Sequence, residues 1–482
     1  MNRLPLGVLG AIVTAMLLAA CASADRAAPA VEQIDAASLG ARAAAAEWPS
    51  EAWWRRYGDP QLDALIGEGL AGSPSLAAAR ARIARADAAA GIARSALYPK
   101  ASGNVESNYQ RYSENYLWPP PLAGNWQTDN RLTLDLTWEI DFWNKNGAAL
   151  ESALSQAQAA TADAQAARVL LTTGIARAYF NLQRLFAQRD VSGAAIAQRE
   201  EIVRITGQRY AAGLDTKVEV RQAEAALATV RTELAQSDEA IAIARNQLAA
   251  LAGAGPGRGS SIAAVRADAV PATALPPSIP LDLVGRRPEI VASRWRVEGA
   301  QHDVDVAKAL FYPNVNVIAF LGLSSLGLSR LFLTGSEAAG VGPAIHLPIF
   351  EGGRLNANLR GRAADVDLAV SAYNQAVIDA VHELADALAS IRGLGRIAAE
   401  QARARAATTD AYNIAVIRYK AGLGNYLTVL TAQTQELIQD RLAADLTARA
   451  FELDVNLVRA LGGGYDGPAL AASVAPDGAQ AR

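Results

Sequence analysis

Three histidines (His302, His346, His382) and one cysteine (Cys21) are the only imidazole and thiol groups in this 482-residue chain. Zinc and iron–sulfur sites need several such ligands at short, regular spacings. None of the histidines has a second ligand at such a spacing. His382-Glu383 lacks a histidine four residues on, so it reads as a helix surface. Gly253-Ala-Gly255-Pro-Gly257-Arg-Gly259 looks like a phosphate loop but fails both the G-x-G-x-x-G and the G-x-x-x-x-G-K-[ST] spacings. It also follows a helix instead of a strand, and reads as linker. Gly322-Leu-Ser324-Ser-Leu326 fails the nucleophile-elbow pattern at its last position. The acid pairs Glu200-Glu201 and Asp238-Glu239 are adjacent, so they diverge around a helix into solvent. The expectation is a protein that is not an enzyme, with no catalytic residues, no metal site and no cofactor.

Composition indicates what the chain builds instead. It is 51% hydrophobic, 6% aromatic and 19% charged. Alanine and leucine carry much of the apolar share, which favours long helices over a sandwich or a doubly wound sheet. Forty-five Lys plus Arg face 48 Asp plus Glu, a formal charge of -3. A nucleic-acid binder would carry a basic excess, so that class is set aside.

Residues 1–20 form a secretory signal peptide. Arg3 is their only charge, Leu4 to Leu18 is apolar, and Ala19 and Ala20 are small. The ending Leu18-Ala19-Ala20-Cys21 resembles the bacterial lipobox, in which the cysteine is lipidated and becomes the mature N-terminus. The alternative is an ordinary signal peptide with an incidental cysteine. Residues 21–50 read as an N-terminal tether from the lipid anchor. No later run of about 18 apolar residues reads as a membrane-crossing helix.

The rest of the chain is written twice. Tyr98-Pro99 recurs as Tyr312-Pro313, Arg209-Tyr210-Ala-Ala-Gly213-Leu214 as Arg418-Tyr419-Lys-Ala-Gly422-Leu423, and Ala250-Leu251-Ala252-Gly253 as Ala460-Leu461-Gly462-Gly463. The expected organisation is a first repeat at 51–253, a linker at 254–280, a second repeat at 281–465 and a flexible tail at 466–482. Each repeat reads as helix, two strands, long helix, turn, helix. The first helix spans 75–97. Strands are expected near 102–112, 129–140, 314–323 and 337–349. The second of these is clearest: Leu132, Leu134, Leu136 and Trp138 alternate with Arg131, Thr133, Asp135, Thr137 and Glu139. No proline interrupts 146–210 or 349–461. Val370, Val377, Leu384 and Ile391 recur every seven residues, as do Leu359, Val366 and Tyr373, which is a coiled-coil period. Gly213 suits a left-handed helix end, Thr216 with Glu219 a capping box, and Asn425 an N-cap. Each repeat is thus a long antiparallel helical hairpin carrying a pair of strands.

Four two-faced strands fit a membrane barrel wall, but the smallest such barrels have about eight strands. A barrel in lipid must close, because open edges leave unpaired backbone groups. Two copies would supply eight strands and three would supply twelve. A soluble four-stranded sheet capped by helices is the alternative.

The whole pattern after Ala46 resembles the TolC-like outer-membrane efflux channels, in the lipoprotein branch that includes NodT and OprM. The resemblance rests on Trp53-Trp54-Arg55-Arg56-Tyr57-Gly58-Asp59-Pro60-Gln61-Leu62 and on the two Tyr-Pro pairs. Arg286-Arg287-Pro288-Glu289-Ile290 and Pro348-Ile349-Phe350-Glu351-Gly352-Gly353-Arg354 add to it. Its strongest part is Arg418-Tyr419-Lys420-Ala421-Gly422-Leu423-Gly424-Asn425-Tyr426-Leu427-Thr428-Val429-Leu430. The resemblance implies a mainly α fold with a β-barrel part: a homotrimer with a 12-stranded barrel in the outer membrane and an α-helical tunnel through the periplasm. It implies a passive export conduit for small molecules, docked to a periplasmic adaptor (membrane fusion protein) and an inner-membrane RND-type pump. The competing class is a structural coiled-coil lipoprotein of the envelope with no pore.

Residue roles follow from the same resemblance. Gly213, Leu214, Gly422 and Leu423 would form adaptor-docking tips, where plain C-capping is the alternative. Leu427 and Thr431 would form the closed periplasmic gate, where packing between helices is the alternative. Relatives carry an aspartate at the second of these positions, so threonine would leave the ring neutral. Glu219 at the first tip is a candidate to supply the missing charge.

Overall fold

The computed structural model describes residues 28–42, 48–264, 280 and 282–466. The signal segment, Cys21, residues 265–279 of the linker and residues 467–482 of the tail lie outside the described residues. The principal elements are α1 (Pro60–Gly72), α2 (Pro74–Ser95), β1 (Lys100–Arg111), β2 (Trp126–Ile140), α3 (Lys145–Ala211) and α4 (Lys217–Leu251) in the first repeat. The second contributes α5 (Pro288–Ala309), β3 (Asn314–Leu326), β4 (Glu337–His346), α6 (Arg354–Lys420) and α7 (Tyr426–Ala460). The repeat is metrically close. α2 and α5 have 22 residues each, α3 and α6 have 67, and α4 and α7 have 35. At the α-helical rise, 67 residues span about 100 Å. The linker is less irregular than its glycines imply. Pro256–Ser260 is a short helix, and Arg258 on it pairs with Glu68 at 3.0 Å.

The chain divides into two compact units that cut across the sequence repeats. One takes Arg82–Ala160 and Ser293–Tyr373, and the other takes Ile34–Ala81, Thr161–Ala292 and the chain from Asn374. Strand pairing explains the cut: β2 of the first repeat hydrogen-bonds to β3 of the second. A repeat is therefore a unit of sequence and not of packing.

In the first unit the four strands form one antiparallel sheet in the order β1-β2-β3-β4. The register sorts the side chains by face. Leu132, Leu134, Leu136 and Trp138 stand opposite Leu323, Leu321, Ala319 and Val317. On the other face, Thr133 meets Asn104, Glu106 meets Arg131, and Glu139 meets Asn316.

In the second unit the core begins at a 3₁₀ turn, Trp53–Tyr57, with Trp53 and Trp54 buried. Asp59 then caps α1 by accepting from the Gln61 and Leu62 amides, and Pro60 sits where its missing N–H costs nothing. Leu62, Leu65 and Ile66 are thereby pressed onto Ile175 and Tyr179 of α3, Leu248 of α4 and Phe451 and Val455 of α7. Phe180 and Phe451 stack at 4.4 Å between ring centroids. The heptad positions Val377 and Leu384 are buried, as are Leu359, Val366, Val370 and Tyr373, while Ile391 is only half-buried.

Candidate functional site

The four-stranded sheet is open at both of its edges. Among the described residues β1 pairs only with β2, and β4 only with β3, so both outer strands present an unpaired backbone edge. The strands have 10 to 15 residues, enough to cross a bilayer at a tilt. Among the described residues no helix is long and apolar enough to cross a membrane. A two-faced sheet with free edges cannot stay alone in lipid, where nothing hydrates those groups.

At the helix reversals the two repeats use the same closure. Gly213 and Gly422 take positive φ values of 72° and 77°. The Leu214 amide donates to the Arg209 carbonyl at 2.9 Å, and the Leu423 amide to the Arg418 carbonyl at 2.8 Å. Each reversal is a Schellman closure that a Cβ would strain. It leaves Leu214 and Leu423 projecting into solvent, 64% and 70% exposed. The next helices start on Thr216, whose hydroxyl accepts from the Val218 amide, and on Asn425, whose Oδ1 accepts from the Thr428 amide at 2.9 Å.

One contact at these tips escaped the sequence reading. Asp215 follows the first tip and lies between Arg209 and Tyr419. Arg209 Nε donates to Asp215 at 2.9 Å, and the Tyr419 hydroxyl donates to the same carboxylate. Arg209 Nη1 also donates to the Tyr419 carbonyl at 3.0 Å, and its guanidinium stacks 4.6 Å from the Tyr419 ring centre. Burial would raise the Asp215 carboxyl, but the hydrogen bonds from Arg209 and Tyr419 outweigh it and hold it below the usual range. Burial and the bond to Asp215 push the Tyr419 phenol up, so it stays a donor. The group latches the first hairpin to the second.

Leu427 and Thr431 lie one turn apart on α7, both exposed, beside the buried Tyr426 and Val429. The Thr431 hydroxyl donates to the Leu427 carbonyl at 2.9 Å. Glu219 sits in the capping box of α4, and its hydrogen bonds hold its carboxyl below the usual range, so it stays ionised. Its carboxylate accepts from the Thr216 amide at 2.8 Å and closes the capping box. Further along α7, Gln433 and Glu436 are buried, and both meet Gln198 of α3. One oxygen of Glu436 has no hydrogen-bond partner, and burial raises its carboxyl above the usual range.

The chain matches the family described as outer membrane efflux protein over residues 65–254 and 280–463. It belongs to that family. It is 39% identical to the fusaric acid resistance protein FusA of Burkholderia cepacia over 369 residues, 74% of this chain and 69% of the relative. It is 32% identical to the multidrug resistance outer membrane protein MdtP of Escherichia coli, over 88% of each chain. Among solved structures, the outer membrane protein VceC of Vibrio cholerae is similar at 39% identity and a TM-score of 0.83, covering 87% of this chain and 100% of that one. The outer-membrane channel OprN is similar at 27% identity and a TM-score of 0.81, over 92% and 98%.

This efflux protein is therefore an outer-membrane channel and not an enzyme. Its three histidines stand on separate elements, α5, β4 and α6. Among the described residues no group of three metal-ligating side chains forms. One reading of the polar residues is corrected. His382 is exposed, but Glu383 is no bare helix surface: it pairs with the buried Arg287 at 2.6 Å and with Arg459 at 3.3 Å. The adjacent acids do diverge, and each neighbouring helix supplies a cation: Arg231 to Glu200 at 2.8 Å and Arg189 to Asp238 at 2.6 Å. Gly213, Leu214, Gly422 and Leu423 lie at the two reversals, and Leu427 and Thr431 in the first turns of α7 after the second one. The latch had no signal in the sequence beyond the repeated Arg-Tyr pair before each glycine.

Proposed function

We propose that three copies of this chain form the outer-membrane conduit of a tripartite export system. The observation that carries the reading is the amphipathic four-stranded sheet with two unpaired edges. Pairing β1 of one copy with β4 of the next removes every edge, and three copies build a twelve-stranded barrel. The likeness to solved outer-membrane channels supports that closure. The α3–α4 and α6–α7 hairpins then line a tunnel, and a periplasmic adaptor grips the tips at Gly213, Leu214, Gly422 and Leu423. An inner-membrane RND-type pump supplies the energy, because the conduit has no chemistry to do so. Leu427 and Thr431 narrow the resting entrance as rings around the three-fold axis. A lipid on Cys21 tethers the mature N-terminus to the outer membrane. Relatives named for fusaric acid resistance and multidrug resistance support small organic molecules as cargo.

Native mass measurement in detergent is the direct test. Three chains per particle, together with single-channel conductance in a planar bilayer, are expected. A folded monomer without conductance would overturn the reading. The tips have their own test: a bulky aromatic at Leu214 and Leu423 should weaken cross-linking to the adaptor and leave the trimer intact.

A further inference from the structure

α3 and α7 each carry a polar stripe turned away from the core. On α3, Ile175, Tyr179 and Leu182 face the buried cluster, while Arg177, Asn181 and Arg184 recur at helical spacing on the far side. On α7, Phe451, Val455 and Val458 face the cluster, while Asp445, Arg449, Glu452 and Asn456 lie on the far side. The two stripes enclose an open groove of about 580 Å³. Its floor is apolar, made by Ala178, Phe180, Ala448 and Leu453.

The charges in the groove are unevenly used. Asp445 is occupied, taking a 2.6 Å hydrogen bond from Gln188 and lying 3.5 Å from Arg184. Arg177 donates to the Asn456 side chain, yet its buried Nε has no partner. Glu452 is exposed and is the groove's second acid; it acts on Arg177, as does Glu383, which Arg287 and Arg459 already engage. Arg449 is exposed and makes no hydrogen bond or ion pair among the described residues. Three guanidinium groups thus face two carboxylates, one of them already occupied.

We propose that this groove is a transit site for amphiphilic organic carboxylates, with Arg449 as the group that engages the carboxylate. A planar carboxylate matches the guanidinium fork, and the apolar floor accepts the hydrocarbon or ring that accompanies it. The volume lies in the range of small-molecule sites. The inference rests on the conduit reading, which turns the faces opposite the core toward the tunnel. Binding there is weak by necessity, because a conduit must release what it admits.

The test uses the full-length protein in detergent, titrated with benzoate or with its neutral isostere benzamide and followed by ligand-observed NMR. Saturable benzoate binding is expected, with none for benzamide. Arg449→Gln should raise the benzoate Kd at least fivefold, and Arg449→Lys should restore most of the affinity. Arg449 has no partner to lose, so the fold should be untouched; an unchanged trimer mass checks this. Equal binding of benzoate and benzamide, or an unchanged Kd in Arg449→Gln, overturns the proposal. Single-channel recording of the same preparation separates the two readings. Conductance without Arg449-dependent binding sinks the groove alone. Binding without conductance sinks the conduit and, with it, the groove's place on an export path.

Discussion

The Tyr419 hydroxyl reaches across 204 positions of sequence to donate a hydrogen bond to the Asp215 carboxylate. Arg209 grips the same carboxylate from its own hairpin, with both side chains of that ion pair largely buried. Charge-assisted bonds of this kind contribute about 1.5–3 kcal/mol each. Tyr419→Phe removes one donor and Asp215→Asn removes the charge. Both should loosen the tips and raise single-channel conductance with the trimer intact, Asp215→Asn more strongly. The carboxyl is held below its ordinary value of 3.8, so the latch is fully formed above that value and is lost only as pH falls through the lower, folded one. Conductance should accordingly be flat between about pH 5 and 7 in the wild type.

Leu427 projects one turn before Thr431 on the same exposed face of α7. Leu427→Gly should widen the entrance, raise conductance and make cells leakier to large antibiotics. In the proposed trimer, Thr431→Asp would place three acids near one axis and should shift the channel toward cations. If both variants conduct and select as the wild type does, the constriction lies elsewhere.

Glu436 is buried with one oxygen unpartnered, and burial raises its carboxyl. A raised carboxyl pKa means that the folded state disfavours the charged form, so Glu436 destabilises at neutral pH and does so less as pH falls. Glu436→Gln should therefore raise the thermal midpoint at pH 7, by the equivalent of about 1 kcal/mol, and the gain should shrink toward pH 4. A lower midpoint at pH 7 would show that the hydrogen bonds from Thr409 and Gln198 depend on the charge.

Phe180 stacks on Phe451 and packs against Tyr57 at 4.9 Å. Phe180→Ala opens a cavity in the main buried cluster of the second unit and should cost about 3–5 kcal/mol. Thermal denaturation should show a lower midpoint, while the strand-bearing unit keeps its β signal to higher temperature.

Cys21→Ala should abolish acyl labelling. Because the barrel also holds the protein in the membrane, export should fall only in part. Unchanged mass and label in the variant would show that the cysteine is not modified.

Much of this architecture is legible in the chain because it obeys local rules. The two-residue alternation around Leu134 gives a two-faced strand, the seven-residue series through Val377 gives packed helices, and Gly213 and Gly422 give reversals. Each depends on residues within a turn or a strand of one another. The repeat made the element order readable twice, and helix lengths of 67 and 35 residues recur in both halves. The tertiary structure decided what distant segments do to one another. It paired β2 with β3, so that the compact units cross the repeats. It brought Asp215 under Tyr419, closed Glu219 into a cap, turned Glu383 onto Arg287 and set the arginine stripe of α3 beside α7. Those outcomes depend on which helix lies against which and at what rotation. Side-chain periodicity defines a face for burial, but it does not name the partner that meets it.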